Sequence, residues 1–285
     1  MRSTVLIILL AGILASCKPG PSGPWQENCQ PLEISSDDLT SLTYGTGDPL
    51  FDDATVNSGT GHVHDLDGID GFYEAAIGGG VAIEDFDEDG DLDIIVTGGI
   101  EDDGYYVNQG NGQFLDCADS AGINSENDWT LGVSMADFDN DGDQDVLMLN
   151  DGANRLLRNL GDGSFEDITG VSNIRGKSRS ASASWADLDG DGLLDLFIAN
   201  LASDFPLGAT PDPDRSQLYR NLGSGIFEDV SEQVGNSGLR PGACYIAPMV
   251  DFDGDGQVDL LITQEFGLTI ERNQIYRNLG PSESD

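Results

Sequence analysis

The sequence predicts an all-β fold, a β-propeller built from four-stranded antiparallel blades. Three observations carry the prediction: a unit of four short apolar runs that recurs along the chain, an aspartate-rich loop at a fixed place in each unit, and no segment with a long 3.6-residue apolar period. The loop Asp137-Phe-Asp-Asn-Asp-Gly-Asp-Gln-Asp145 has relatives at Asp85–Asp93, Asp187–Asp195 and Asp251–Asp259. All four fit D-x-D-x-D-G-x-x-D, and their starts lie 52, 50 and 64 residues apart. A single four-stranded sheet leaves a face unburied, and stacking such sheets around an axis covers it.

Each unit reads in the same order. A small-residue apolar strand precedes the loop: Gly80–Ile83, Gly132–Ala136, Ser182–Ala186 and Tyr245–Val250. A β-prone run follows it: Ile94–Val96, Val146–Leu149, Leu196–Ile198 and Leu260–Ile262. A third strand comes next, at Tyr105–Val107, Arg155–Leu160, Gln217–Leu222 and Gln274–Leu279. A Gly-rich turn leads to a fourth, at Phe114–Asp116, Phe165–Thr169 and Phe227–Ser231. These runs have strand length and are bounded by Gly, Asn or Asp. The last unit stops after its third strand, whereas Leu50-Phe-Asp-Asp-Ala-Thr55 ahead of the first unit matches the fourth-strand pattern Phe-x-Asp-x-Thr. An N-terminal strand completing the last blade would close a ring and remove two sheet edges. Arg158, Arg220 and Arg277 recur at one third-strand position, which points to a structural role such as pairing with an Asp of the neighbouring strand.

The charge balance narrows the chemistry. There are 52 Asp and Glu against 12 Lys and Arg, a net charge of −40. Nucleic acid is excluded as a partner, because phosphate binding needs clustered Lys and Arg. The acids interleave with apolar runs such as Asp145–Leu149, so the composition is not that of a disordered chain. A cation must offset the charge, and the loops have the form of a calcium site. Calcium takes six to eight oxygens, alternating carboxylates on a tight turn point inward, and the Gly at position 6 permits the bend. The ligands are expected at positions 1, 3, 5, 7 and 9. In the first two loops these are Asp85, Asp87, Asp89, Asp91 and Asp93, then Asp137, Asp139, Asp141, Asp143 and Asp145. In the last two they are Asp187, Asp189, Asp191, Leu193 (through its carbonyl) and Asp195, then Asp251, Asp253, Asp255, Gln257 and Asp259. About four Ca²⁺ sites follow. An EF-hand closes instead with Glu at position 12 between helices.

The ends of the chain read differently. Arg2 and the apolar stretch Val5–Ala15 form a signal peptide over 1–16, too short to span a bilayer as a mature helix. It ends in Leu14-Ala15-Ser16-Cys17, which resembles a bacterial lipobox and makes Cys17 the expected lipidation site. Lys18 at the next position favours the outer membrane over inner-membrane retention. Residues 17–47 form a Pro/Gly-rich tether, 48–280 the repeats and 281–285 a tail. Cys29, Cys117 and Cys244 remain. They are odd in number, so at most one pair forms within the chain, and buried free thiols are an equally good reading for the last two.

Asp137–Asp145 followed by Asn154-Arg-Leu-Leu-Arg-Asn-Leu-Gly-Asp-Gly-Ser-Phe-Glu-Asp-Ile-Thr169 resembles FG-GAP/VCBS repeats, with the Leu-Tyr-Arg-Asn stretch at 218–221 closest to the cartilage-acidic-protein-like (ASPIC/UnbV) branch. The resemblance covers roughly residues 48–280. It implies integrin-α-type blades, calcium in the hairpin between the first two strands, and an extracellular binding or adhesion role. Such propellers usually have seven blades, so a closed four-bladed ring, assembly into a homodimer and a truncated seven-bladed type all stay open. The function expected is a non-catalytic, lipid-anchored envelope module for an unidentified protein or glycan ligand, with the Pro- and Asp-rich insertion Leu201–Arg215 as its binding loop.

An enzyme is the competing reading. His62 and His64 are the only histidines, and no Cys/His cluster accompanies them, so a polar loop accounts for them. Asp65-Leu-Asp67-Gly-Ile-Asp70 reads as a broken loop. No nucleophile-elbow, Walker or dinucleotide motif occurs, and no catalytic residue is expected. A carbohydrate-active propeller enzyme is the alternative. Tyr73, Trp129 and Tyr245 are expected to pack in the core.

Overall fold

The computed structural model describes residues 58–60, 79–99, 102–124, 129–174, 176, 179–201, 216–235, 239, 244–264 and 273–280. All belong to one compact unit, residues 53–285. Four antiparallel sheets of four strands form. The first contains β1 (Val81–Glu84), β2 (Asp93–Val96), β3 (Gly104–Asn108) and β4 (Phe114–Asp116). The second contains β5 (Thr130–Ala136), β6 (Asp145–Asn150), β7 (Arg155–Asn159) and β8 (Phe165–Asp167). The third contains β9 (Ser180–Ala186), β10 (Asp195–Asn200), β11 (Gln217–Asn221) and β12 (Phe227–Asp229). In these three sheets the strands lie side by side in chain order. The lipobox, Leu50–Thr55, His62, His64, Asp65–Asp70, Tyr73, Cys29 and residues 202–215 lie outside the described residues.

The core shows why the second strand of each unit is uniformly apolar. Alternate residues of a strand face opposite ways, and in β6 and β10 both ways are buried. Val146 and Met148 pack with Phe86, Ile95 and Tyr105 of the first blade, while Leu147 and Leu149 pack with Leu196, Ile198 and Tyr219 of the third. From β10, Phe197 and Ala199 continue into a cluster with Leu218, Cys244, Leu260 and Ile262. The blades are thus stacked layers, each completing its neighbour's core.

Small first-strand residues have a separate cause. The first strands of adjacent blades run close together. A Cβ on Gly80 would come within 2.6 Å of the Val133 amide nitrogen. Ser182 and Ser184 donate from Oγ to the carbonyls of Tyr245 and Ala247, at 2.9 and 2.7 Å. Bulkier side chains would push the blades apart.

In two blade-to-blade seams the fourth strand supplies one aromatic. Phe165 of β8 meets the rings of Phe86 and Tyr105 edge-on, with centroids 5.7 and 5.8 Å apart. Phe227 of β12 repeats this against Phe138 and Trp185, at 6.1 and 6.2 Å. Phe86 and Phe138 are the second residues of their loops, so the loop and the next blade's fourth strand form one contact.

Three expectations are corrected. The fourth strands end at Asp167 and Asp229, two residues early. There an Asp Oδ1 accepts the N–H two residues on, from Thr169 and Ser231, both at 2.9 Å, and turns the chain into single helical turns. These are the helical turn Thr169–Ser172 and the 3₁₀ turn Ser231–Gln233, matching an earlier turn at Ala118–Ala121. The first strand of the fourth blade is split into β13 (Cys244–Ile246) and β14 (Met249–Val250). Pro248 between them has no N–H to give the ladder, and both pieces pair with β15 (Asp259–Gln264). Tyr245 is 44% exposed rather than in the core, because it points outward from that short strand. Trp129 is half-buried.

Among the described residues the last strand of the fourth blade is β16 (Gln274–Tyr276), on β15. A cleft of about 770 Å³ opens beside it, lined by Leu188, Tyr219, Val230, Leu260 and Tyr276 among others. Leu188 is the loop residue equivalent to Phe86 and Phe138. The cleft therefore lies where the other two seams hold a fourth-strand phenylalanine. Cys117 and Cys244 are free thiols, and burial pushes Cys244 up to about 11.

Candidate metal centre

Every aspartate loop joins the first strand of a blade to the second, and its own amides fold it. The position-1 carboxylate accepts the N–H groups of positions 5 and 6 in the first three loops, and those of positions 4 and 6 in the last. Asp85 takes those of Asp89 and Gly90 at 3.0 and 2.9 Å, and Asp137 those of Asp141 and Gly142 at 3.1 and 3.2 Å. The position-5 carboxylate accepts the N–H of position 7, as in Asp89 with Asp91 at 2.9 Å and Asp191 with Leu193 at 2.9 Å. Gly90 and Gly142 have φ of 97° and 107°, a region that favours glycine.

The closing aspartate does more than its sequence position announces. Asp93, Asp145, Asp195 and Asp259 are buried. In each, one oxygen accepts the N–H of loop position 2, and the other accepts an N–H from the third strand. For Asp145 these are Phe138 at 3.1 Å and Asn159 at 2.9 Å, and for Asp195 Leu188 at 2.9 Å and Asn221 at 2.8 Å. Sequence reasoning missed the partner asparagines. Asn159 Nδ2 donates to the Phe86 carbonyl of the preceding blade at 3.1 Å, Asn221 to Phe138 at 2.8 Å and Asn278 to Leu188 at 2.7 Å. The signal was present as an Asn directly after each recurring Arg.

These bonds gather three carboxylates per loop, with one oxygen from each within 4.8 Å of the others. The groups are Asp85, Asp87 and Asp93; Asp137, Asp139 and Asp145; Asp187, Asp189 and Asp195; and Asp251, Asp253 and Asp255. Positions 1, 3 and 9 converge in the first three loops, and positions 1, 3 and 5 in the last. Asp89, Asp141 and Asp191 stand outside those triads, as do the side chains at position 7 and Asp259. Two oxygens on one calcium ion lie at most about 5 Å apart, given bonds of about 2.3–2.6 Å, so the triads fit such an ion. Asp139 Oδ1 is moreover buried without a hydrogen-bond partner, and a buried acceptor with no donor calls for one.

Electrostatics agree. Burial pushes Asp145 up to about 7 and Asp195 up to about 6, against an ordinary 3.8. Burial likewise raises Asp87, Asp93 and Asp139, with loop carboxylates adding to it. A carboxyl raised in this way keeps its proton in the folded state after the unfolded chain has lost it. Its stabilisation is full below 3.8 and is lost as pH rises through the folded value. Melts in chelator are expected to give a higher midpoint at about pH 5 than at about pH 7.5. Equal midpoints would remove these two buried groups as a factor.

The recurring arginines also reach the loops. Arg158 Nε lies 3.2 Å from Asp139 Oδ2, Arg220 Nε 3.4 Å from Asp189 and Arg277 Nε 2.7 Å from Asp253. Their main partner is thus loop position 3 of their own blade, not an Asp of the neighbouring strand.

The family model for FG-GAP-like repeats matches residues 85–148 and 137–198. The chain is 30% identical over 167 residues to cartilage acidic protein 1 of Mus musculus and 29% identical to that of Homo sapiens. Each alignment covers 55% of this chain and 24% of the relative, so the chain matches about a quarter of the length of these proteins. A solved structure of an Agrocybe aegerita lectin, described as recognising non-reducing terminal N-acetylglucosamine, matches over 69% of this chain and 51% of its own at 19% identity and a TM-score of 0.37. Residues 85–198 thus match FG-GAP-like repeats and lie in an all-β, propeller-like stack of four-stranded blades.

Proposed function

We propose that this chain is a calcium-stabilised, non-catalytic binding or adhesion module of the cell envelope. The observation that carries the proposal is the convergence of three aspartates in each of four equivalent loops. Asp85, Asp137, Asp187 and Asp251 with the aspartates two residues on would hold the ion, joined by Asp93, Asp145 and Asp195 in the first three loops. Bound calcium supplies the positive charge that offsets repulsion among these carboxylates. The FG-GAP-like repeats support a binding role over a catalytic one. A calcium titration of the metal-free chain tests the reading, with about four ions bound per chain expected. Uptake of none would end it.

Location and partner belong to the same proposal. The stretch Leu14-Ala15-Ser16-Cys17 supports a lipid anchor on Cys17, holding the module on the outer membrane through the tether. Among the described residues no helix is long and apolar enough to cross a membrane. Labelled palmitate should enter the wild-type chain and not the Cys17→Ala variant; equal labelling would refute the anchor. The ligand is a protein or glycan, and the insertion Leu201–Arg215 is the proposed contact. Capture from envelope extract with the wild-type chain, but not with residues 203–214 deleted, would support it, and light scattering would separate monomer from homodimer.

A further inference from the structure

The four loops are not electrostatically equal. In blades two to four a third-strand guanidinium rests on the position-3 aspartate, at 3.2, 3.4 and 2.7 Å. Arg277 adds a second contact, from Nη2 to Asp255 Oδ2 at 2.7 Å. Sheet register identifies the corresponding residue of the first blade. Arg158 lies opposite Glu166 and Arg220 opposite Glu228, and Val107 lies opposite Leu115. Val107 carries no charge. The first loop thus has the same five aspartates as the second, Asp85, Asp87, Asp89, Asp91 and Asp93 against Asp137, Asp139, Asp141, Asp143 and Asp145, but no guanidinium at this position. These two loops carry the same residue types at the candidate ligand positions, and differ within the loop at position 4, Glu88 against Asn140, and at position 8, Leu92 against Gln144.

A cation fixed beside a ligand carboxylate competes with a metal ion for it and repels that ion. We infer that the third-strand arginines set a hierarchy of calcium affinity, in which the loop at Asp85–Asp93 is the tight site and Arg158, Arg220 and Arg277 hold the other three weaker. The inference rests on the calcium reading above. These pairs are partly exposed, with Arg158 29% and Arg277 54% accessible, so solvent screens them and each arginine is worth roughly three- to tenfold in affinity. The doubly engaged Arg277 makes the last loop the weakest. As calcium rises the first loop fills before the rest, so one blade is ordered at concentrations where the others still exchange their ion for an internal counter-charge. In blades two to four the arginines also offset the carboxylates of the metal-free loop.

Calorimetric titration of the full, metal-depleted chain with calcium alone tests this. The wild type is expected to show one tight site resolved from three weaker ones. Replacing Arg158, Arg220 and Arg277 by Met should tighten the weaker class by roughly three- to tenfold per site and merge it toward the first. Val107→Arg should remove the tight class, which keeps the inference testable if the triple variant fails to fold. Weaker sites that keep or lose affinity on Arg→Met replacement, or a tight site that survives Val107→Arg, overturn the inference while calcium binding stands. A wild-type chain that takes up no calcium overturns the calcium reading and this inference with it.

Discussion

Chelation with EDTA is expected to lower the melting midpoint of this protein by about 10–20 °C. With a dissociation constant near 10⁻⁴ M and calcium near 10⁻³ M, each site adds roughly 1.4 kcal/mol. Four sites add about 5–6 kcal/mol, comparable to the whole net stability of an ordinary domain. In a domain of this size about 1 kcal/mol moves the midpoint by roughly 2–4 °C. The structure shows why the loss would spread. The triads include the buried closing aspartates Asp93, Asp145 and Asp195, and those same residues tie the loop to the third strand. Repulsion within a loop therefore acts on the blade and, through Asn159, Asn221 and Asn278, on the blade before it. Calcium added back should restore the midpoint. An identical melting curve with and without chelator would refute a structural role for the metal.

Phe227→Ala is expected to cost about 3–5 kcal/mol, the range for truncating a large buried aromatic. Phe227 is 1% exposed and meets Phe138 and Trp185 edge-on, so its loss would leave a cavity in the seam between two blades. Phe114 is the same residue at the same place in the first blade, but it is only half-buried. Phe114→Ala should cost about 1 kcal/mol or less. Asn221→Ala falls between them, at about 1–3 kcal/mol, because it strands the Phe138 and Leu194 carbonyls it now satisfies at 2.8 and 3.0 Å. Urea unfolding of the three variants measures the order. Equal costs for Phe227 and Phe114 would mean that the phenylalanine stabilises its own sheet and not the seam.

The sequence by itself determined the blades and the loops. Strand identity came from period and punctuation, since an apolar run such as Val146–Leu149 between Asp and Asn has few other local solutions. The D-x-D-x-D-G-x-x-D spacing placed the carboxylates on one tight turn, but which three converge differs between the first three loops and the last. Only the tertiary structure decided what each repeated residue is for. The closing Asp was legible as a repeated loop residue but not as the acceptor of two backbone amides, since one donor is 14 residues away in Asp145 and 26 in Asp195. The Asn of Asn159, Asn221 and Asn278 bonds a carbonyl 73 to 90 residues back, beyond the reach of any local pattern. The arginines looked alike in sequence, and their contact with loop position 3 emerged only once the sheet placed strand and loop side by side. Phe114 and Phe227 make the same point most directly. Both follow a Gly-x-Gly-x turn, yet Phe227 is buried against Phe138 of the preceding blade while Phe114 is half-buried.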